Sequence, residues 1–392
     1  MGAMTGPPVL TQNALREGFV EFAFGEPDPA LLPVGLVREA AERALSSYAA
    51  AGALAYGSTP GPEPLRAAVA ARTVAREGLP LTADHLLVSG GNSQALGQVL
   101  TDLTQPGDVV YVERPTYNLA LGILADHPVD VVGVPMDGEG LDVEALEDAV
   151  RAAKAAGRRP RLAYIIPTFH NPTGVSLSPA RRERLLRLAR QEELVLVEDD
   201  VYRELAYDGT APPALRALDP GAPVVRLGSF SKSLAPGLRL GWIDAPPGLR
   251  GRIAADGVLE SGGCVSQFSA HVVAALLEAG DYAAHTAALR HAYASRRDAL
   301  VAALGEDLPP GCRLVAPSGG FFLWLSLPAG LTATALLPAA ERHRVGFAPG
   351  RTFCTDGEDG SVRLAFSLYD ETALAEGARR LAAALREAVG AA

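Results

Sequence analysis

The middle of the chain alternates short apolar runs with longer stretches of helical periodicity. The runs are HLLVSGG (85–91), DVVYVERP (108–115), VDVVGVPM (129–136), RLAYIIP (161–167), LVLVEDD (194–200), VVRLGSFS (224–231) and RLGWIDAP (239–246). They are near-continuous rather than alternating, and rich in Val, Ile and Leu, which predicts strands buried on both faces. Amphipathic stretches such as 178–191 lie between several of them. Strands separated by helical segments predict an α/β domain with a mostly parallel, seven-stranded sheet flanked by helices.

Past roughly residue 250 the texture changes. Helical patterns at 270–278 and 282–304 precede FFLWLSLP, VGFAPG and SVRLAFS, and a last helix starts at about Glu371. This pattern predicts a second, smaller α+β domain. The N-terminal segment, including 36–45, is expected to pack with it. The expected boundaries are 1–47 for that segment, 48–270 for the large domain and 271–392 for the small one.

In open α/β sheets, ligands gather at the carboxyl ends of strands. Here those ends read SGGNS, ERPTY, PTFHNPTG, EDDVY and SFSK, which puts hydroxyl, amide, acid, aromatic and amine groups within reach of one rim. The bulk numbers restrict what that rim serves. With 35 Lys and Arg against 45 Asp and Glu, the net charge is −10, which argues against nucleic acid or an anionic membrane as partner. No apolar run reaches the ~18 residues of a membrane span. The opening MGAMTGPP lacks the basic and apolar stretches of a secretory leader. Cys264, Cys312 and Cys354 are far apart and form no CxxC, so reduced thiols in a cytoplasm are expected, with Cys264 as a small buried apolar residue. No metal site is suggested.

Arginine carries nearly all the positive charge, and the lysines are Lys154 and Lys232. Lys232 sits in SFSKSLAPGLRLGW (229–242), among serines and apolar residues and close to Arg239. An amine in that setting has its charged form disfavoured and can attack an aldehyde. Ser229, Ser231 and Arg239 suit a phosphate monoester. A reactive lysine beside a phosphate site points to pyridoxal 5'-phosphate, whose aldehyde needs the amine.

This segment resembles the cofactor-lysine segment of the fold-type I pyridoxal phosphate-dependent aminotransferases. The closest likeness is to the class I/II branch that holds 2-aminoadipate and multi-substrate aminotransferases and MocR effector domains. Similar motifs run in order from about Gly25 to Ser367. The resemblance implies an aspartate-aminotransferase-like fold and a role for each motif. In SGGNSQALG, Gly91, Asn92 and Ser93 would hold the phosphate, although the family often has Gly-Ser-Gln-Gln there. Tyr117 of ERPTY would stack on the cofactor ring. Asn171 of HNPTG would donate to its phenolic oxygen and face the substrate, with no general-base role for His170. Asp199 and Tyr202 of EDDVY would meet the ring nitrogen and the phenolic oxygen, leaving Glu198 and Asp200 as groups just behind the site or at the surface. Arg363 of SVRLAFS would clamp the substrate carboxylate. Phe24, Gly25 and Glu26 would line the substrate side, together with the region 261–267. Tyr56 would reach the phosphate of a neighbouring subunit, which implies a homodimer with shared sites.

Three functions remain open at this point. The first is ping-pong transfer of an amino group between an α-amino acid and a 2-oxo acid, with Lys232, Asp199 and Tyr202 as the catalytic groups. The second is another reaction at the α-carbon on the same cofactor: β-elimination, decarboxylation, racemisation or cyclisation. The third is a ligand-sensing domain without catalysis.

Overall fold

In the computed structural model, which describes residues 15–46, 50–263 and 266–391, all seven runs form strands of one sheet. Their spatial order is Leu86–Ser89, Gly241–Asp244, Val224–Ser229, Val195–Asp199, Arg159–Ile165, Asp108–Arg114 and Asp130–Asp137. An eighth strand, Gly140–Leu141, extends the far edge through a tight hairpin with Met136 and Asp137. The expected seven strands become eight because two residues are too few to leave an apolar pattern.

From Val224–Ser229 to Asp130–Asp137 every neighbouring pair is parallel. Gly241–Asp244 runs antiparallel to both of its neighbours. The chain returns to it directly through the Lys232–Arg239 turn, and that turn is too short for the crossover a parallel neighbour needs. Ser229 therefore lies opposite Gly241, and the lysine segment projects as a loop from one end of the sheet. A side chain at Gly241 would put its Cβ 2.6 Å from the Gly228 carbonyl oxygen, so the close approach of these strands requires glycine.

Both faces of the sheet are covered. Leu87, Val110, Val197 and Ile243 on one face pack against Ala95 and Val99 of the helix Asn92–Leu103. Val109, Ala163 and Leu196 on the other meet Leu146 and Leu185 of the helices Val143–Ala155 and Pro179–Glu192. This two-sided burial explains why the runs carry no polar alternation.

A second antiparallel sheet has the order Arg313–Leu314, Phe322–Ser326, Ser361–Ala365 and Ala348–Pro349. Its core gathers Phe321, Leu323, Leu364 and Phe366 with Leu289, Tyr293 and Leu381 from the long helices Asp281–Asp307 and Glu371–Ala391. The N-terminal segment is divided between cores. Val20 and Phe22 enter the core of the second sheet, and Val20–Glu21 pairs in parallel with Val345–Gly346. Ala40 and Ala44, from the helix Val34–Ser46, instead join a cluster with Leu65, Leu86, Val88 and Val273 at the edge of the large sheet. Its apolar stripe is matched to the helix Gln267–Glu278. Among the described residues no helix is long and apolar enough to cross a membrane.

Candidate active site

Parallel strands end on one edge, so the polar residues that follow them converge there. Lys232 lies in the turn after Val224–Ser229, where its Nζ donates to the Gly25 carbonyl at 3.2 Å and sits 5.6 Å from the centre of the Phe321 ring. Burial, aided by the nearby cations Arg363 and Arg239, pulls its pKa down from 10.5 to about 8. Glu26 and Asp199 oppose that shift without cancelling it. An amine so disposed has a substantial unprotonated fraction near neutral pH.

Arg239 takes a left-handed backbone conformation (φ 46°) that aims it back at the Gly90–Gly91 turn, where its Nη2 donates to the Gly90 carbonyl at 3.1 Å. Gly91 has φ 90°, and a Cβ there would lie 3.0 Å from Arg239 Nη2. Gly91 also begins the helix Asn92–Leu103 without a side-chain cap, and Ser93 is exposed on its first turn. Ser229 Oγ donates to Ser231 Oγ at 3.0 Å and accepts from the Ser231 N–H at 3.1 Å. An uncapped helix N-terminus beside a guanidinium and two hydroxyls is an anion site.

Asp199, at the end of its strand, is buried. Tyr164 donates to its Oδ2 at 2.7 Å, and Asn92 Nδ2 donates to its Oδ1 at 2.6 Å. Burial raises the carboxyl from 3.8 to about 6, and the two donors limit the rise. The side chain of Asn92 is thus turned to this acid and to the Leu227 carbonyl, not to the phosphate position expected from the sequence. Its Oδ1 is buried without a partner. Tyr164 escaped the sequence reading because in RLAYIIP it looks like one more buried strand residue.

Tyr202 lies edge-on to Phe321 and Phe322 at 5.5 and 6.0 Å, and burial raises its hydroxyl pKa. Tyr117, at the start of the helix Asn118–Ala125, is pushed up to about 12 by burial, with Asp199 contributing. Both phenols are therefore proton donors across the physiological range.

Arg363 comes from the other sheet, in the strand Ser361–Ala365, paired opposite Trp324. It is buried, and its guanidinium carbon lies 4.2 Å from the Phe322 ring centre and 4.7 Å from that of Phe353. Its Nη1 donates to Asn171 Oδ1 at 3.0 Å and its Nη2 to the Ala23 carbonyl at 2.7 Å. Nε has no partner, and among the described residues no carboxylate pairs with this side chain. Burial lowers its pKa to about 10. A buried cation with only neutral partners is costly until an anion arrives.

The family model for aminotransferases of class I and II matches residues 18–381. The chain belongs to this family. Aromatic-amino-acid aminotransferase 1 of Thermococcus litoralis is 36% identical over 371 residues, covering 94% of this chain and 88% of that one. The crystal structure of a multiple substrate aminotransferase from Thermococcus profundus superposes with a TM-score of 0.91 at 32% identity, over 96% of this chain and 93% of that one. The α-aminoadipate aminotransferase of Thermus thermophilus, solved with N-(5'-phosphopyridoxyl)-L-leucine, gives 0.86 at 33% identity, over 96% and 94%.

Of the two places expected for Glu198 and Asp200, just behind the site or at the surface, this aminotransferase has the first, since both are buried. Glu198 accepts from the Leu215 and Arg216 N–H groups at 2.9 and 3.1 Å. Asp200 is bound by Arg203 and Arg226, and Arg226 is also clamped by Glu77 at 2.9 and 2.8 Å. Asp200, Arg203, Arg226 and Glu77 thus pair acid with base, although Asp200 Oδ1 and Arg203 Nη2 keep no hydrogen-bond partner of their own. His170 is buried, with Nδ1 2.9 Å from Thr173 Oγ1 and Nε2 3.0 Å from Glu113. It braces the turn that carries Asn171. A side chain on Gly25 would place Cβ 2.5 Å from Phe322, so this loop can approach Lys232 only as glycine. Tyr56 is 92% exposed. Cys264, expected as a small buried apolar residue, lies outside the described residues, while Cys312 and Cys354 are free thiols. Among the described residues no three His, Cys, Asp or Glu side chains could hold a metal ion.

Proposed function

We propose that Lys232, Asp199 and Arg363 are the working groups of a pyridoxal phosphate-dependent transamination between an α-amino acid and a 2-oxo acid. The observation that carries this reading is Arg363: a buried guanidinium with an unpartnered Nε and no acid beside it, facing the same cleft as an amine of lowered basicity. The residues fit the cofactor. The uncapped turn at Gly91 and Ser93, with Ser229, Ser231 and Arg239, suits its phosphate. Asp199 and the unpartnered Asn92 Oδ1 suit a ring N–H donor. Tyr117 suits the ring face, and Asn171 and Tyr202 suit the phenolic oxygen. When bound, the cofactor supplies an aldehyde and an electron-withdrawing ring.

The chain's own groups then divide the work. Arg363, oriented by Asn171 and by the Ala23 carbonyl, holds the substrate carboxylate. With the cofactor in place, Lys232 Nζ would take the proton from the substrate α-carbon and hold it for return. Asp199 stays ionised where a cation adjoins it and keeps the ring nitrogen protonated. Phe321, Phe322 and Tyr202 exclude water from the amine.

We place the active site at a homodimer interface. Tyr56 supports this reading: it is 92% exposed, as a side chain that reaches into a second subunit would be. The expected boundary at 270/271 falls inside the helix Gln267–Glu278, and the large domain extends through that helix, because Val272 and Val273 pack with Leu86 and Val88.

The test is a panel of amino acids given to cofactor-loaded protein without any oxo acid. Conversion of the bound cofactor to its amine form, with an equal amount of oxo acid, supports transamination. Release of carbon dioxide, release of ammonia with pyruvate, or racemised substrate over unchanged cofactor rejects it.

A further inference from the structure

Asp199 is reached from two other elements of the large domain. Tyr164 stands on the neighbouring strand Arg159–Ile165, where its backbone pairs with Val197. Asn92 opens the helix Asn92–Leu103 and is itself anchored by its second donation, to the Leu227 carbonyl at 3.2 Å on the strand across. Each carboxylate oxygen therefore receives one directed donor, Oδ1 from Asn92 at 2.6 Å and Oδ2 from Tyr164 at 2.7 Å. A carboxylate gripped on both oxygens cannot rotate, and its plane is fixed by two strands and a helix at once. The other groups facing it are Asp200 next in sequence, the Val201 N–H, and, through the field, Tyr117, Tyr202 and Lys232.

We propose that Asn92 and Tyr164 are positioning residues for Asp199. They hold its carboxylate in the orientation and ionisation state that keep the cofactor ring nitrogen protonated. Asn92 thereby serves the ring end of the site instead of the phosphate end. This inference rests on the function proposed above. Two donors stabilise the anion, so without them the carboxylate becomes a stronger base and keeps for itself the proton it shares with the ring nitrogen.

The experiment loads wild-type protein, Asn92→Ala, Tyr164→Phe and the double variant with ¹⁵N-labelled pyridoxal phosphate and reads the ring-nitrogen chemical shift at neutral pH. Steady-state kinetics are measured alongside. The wild-type resonance is expected at the protonated position. Each single variant moves toward the unprotonated position and loses roughly tenfold in kcat with little change in KM, since a hydrogen bond to a charged group is worth about one pH unit. The double variant moves furthest. Tyr164→Phe keeps the ring in the core, so at least one variant reports without a packing defect. A double variant whose ring nitrogen stays at the wild-type position, with wild-type kcat, overturns the proposal. If wild-type protein takes up no cofactor on Lys232 at all, the underlying reading of the site falls with it. Uptake with unmoved resonances removes the positioning role alone.

Discussion

Two buried arginines, Arg226 and Arg363, show how this molecule separates structure from chemistry. Arg226 lies under the large sheet with Glu77 and Asp200 within hydrogen-bond distance. Burial works against its charge, but Asp200, Glu77 and Glu198 raise its pKa above the ordinary value. Arg363 is just as buried, yet its partners are an amide, a carbonyl and two aromatic rings, and its pKa falls to about 10. The adjacent acids repeat the contrast. Burial opposes the ionisation of Asp200, but Arg203 and Arg226 bring its pKa below 3.8, whereas Asp199, with neutral donors only, rises to about 6. One cluster has its charges paired, acid against base. The other is left electrically incomplete, and a ligand completes it.

Removing Lys232 tests the open cluster most severely. Lys232→Ala loses at least roughly a thousandfold in turnover, because the amine that moves the proton is gone. Single-turnover measurement with a good amino acid donor checks this, and normal turnover would remove Lys232 from the mechanism. The two arginines then part company. Arg226→Met leaves Glu77 and Asp200 buried with only Arg203 between them as counter-charge, and lowers stability by about 3 kcal/mol in chemical denaturation. Arg363→Met leaves the cofactor-free protein as stable as before or more so, because a costly lone cation is gone. Its KM for amino acids still rises roughly a hundredfold, from the loss of a charge-assisted clamp. Equal destabilisation by the two substitutions would break the comparison.

The acids give a pH test. In the unfolded chain Asp199 titrates near 3.8, and in the cofactor-free fold near 6, so the folded state binds the extra proton between those values. Its contribution to stability is therefore greatest below pH 4 and is lost as pH rises to 6. Measured against Asp199→Asn, the wild-type apo-protein loses up to about 3 kcal/mol across that window. A difference that grows in the opposite direction would refute the assignment of Asp199 to the open cluster. The smallest effect concerns the amine again. Apo-protein captures pyridoxal phosphate covalently at a rate that climbs several-fold as pH passes through about 8, where Lys232 loses its proton. A midpoint near 10.5, followed by absorbance, would mean an ordinary exposed lysine.

Much of this was legible in the residue order. The seven apolar runs became seven strands because continuous burial on two faces leaves no room for polar alternation. The sequence reading of a mostly parallel sheet does not say which strand runs back; the structure shows that it is the one after the short Lys232–Arg239 turn. The motifs at Lys232, Asp199 and Asn171 lie at or just past the ends of parallel strands, and those ends meet, whereas Arg363 comes from the middle of a strand in the second sheet. What stayed hidden depended on contacts between segments far apart in the chain. Tyr164 reads as a core residue, and only its register beside Val197 shows that its hydroxyl finds Asp199. Asn92 reads as a helix-start residue, and only the packing of that helix turns it to the acid.

The sequence by itself determined the sheet and its flanking helices, because periodicity is a local property of the chain, and its resemblance to a family marked the residues proposed to carry the chemistry. Tertiary structure alone decided which charges neutralise one another. EDDVY offers three like acids in a row. Glu198 meets two backbone N–H groups, Asp200 two guanidinium groups, and Asp199 an amide and a phenol. The side-chain period of a strand places neighbours on opposite faces, and what waits on each face comes from elsewhere in the fold.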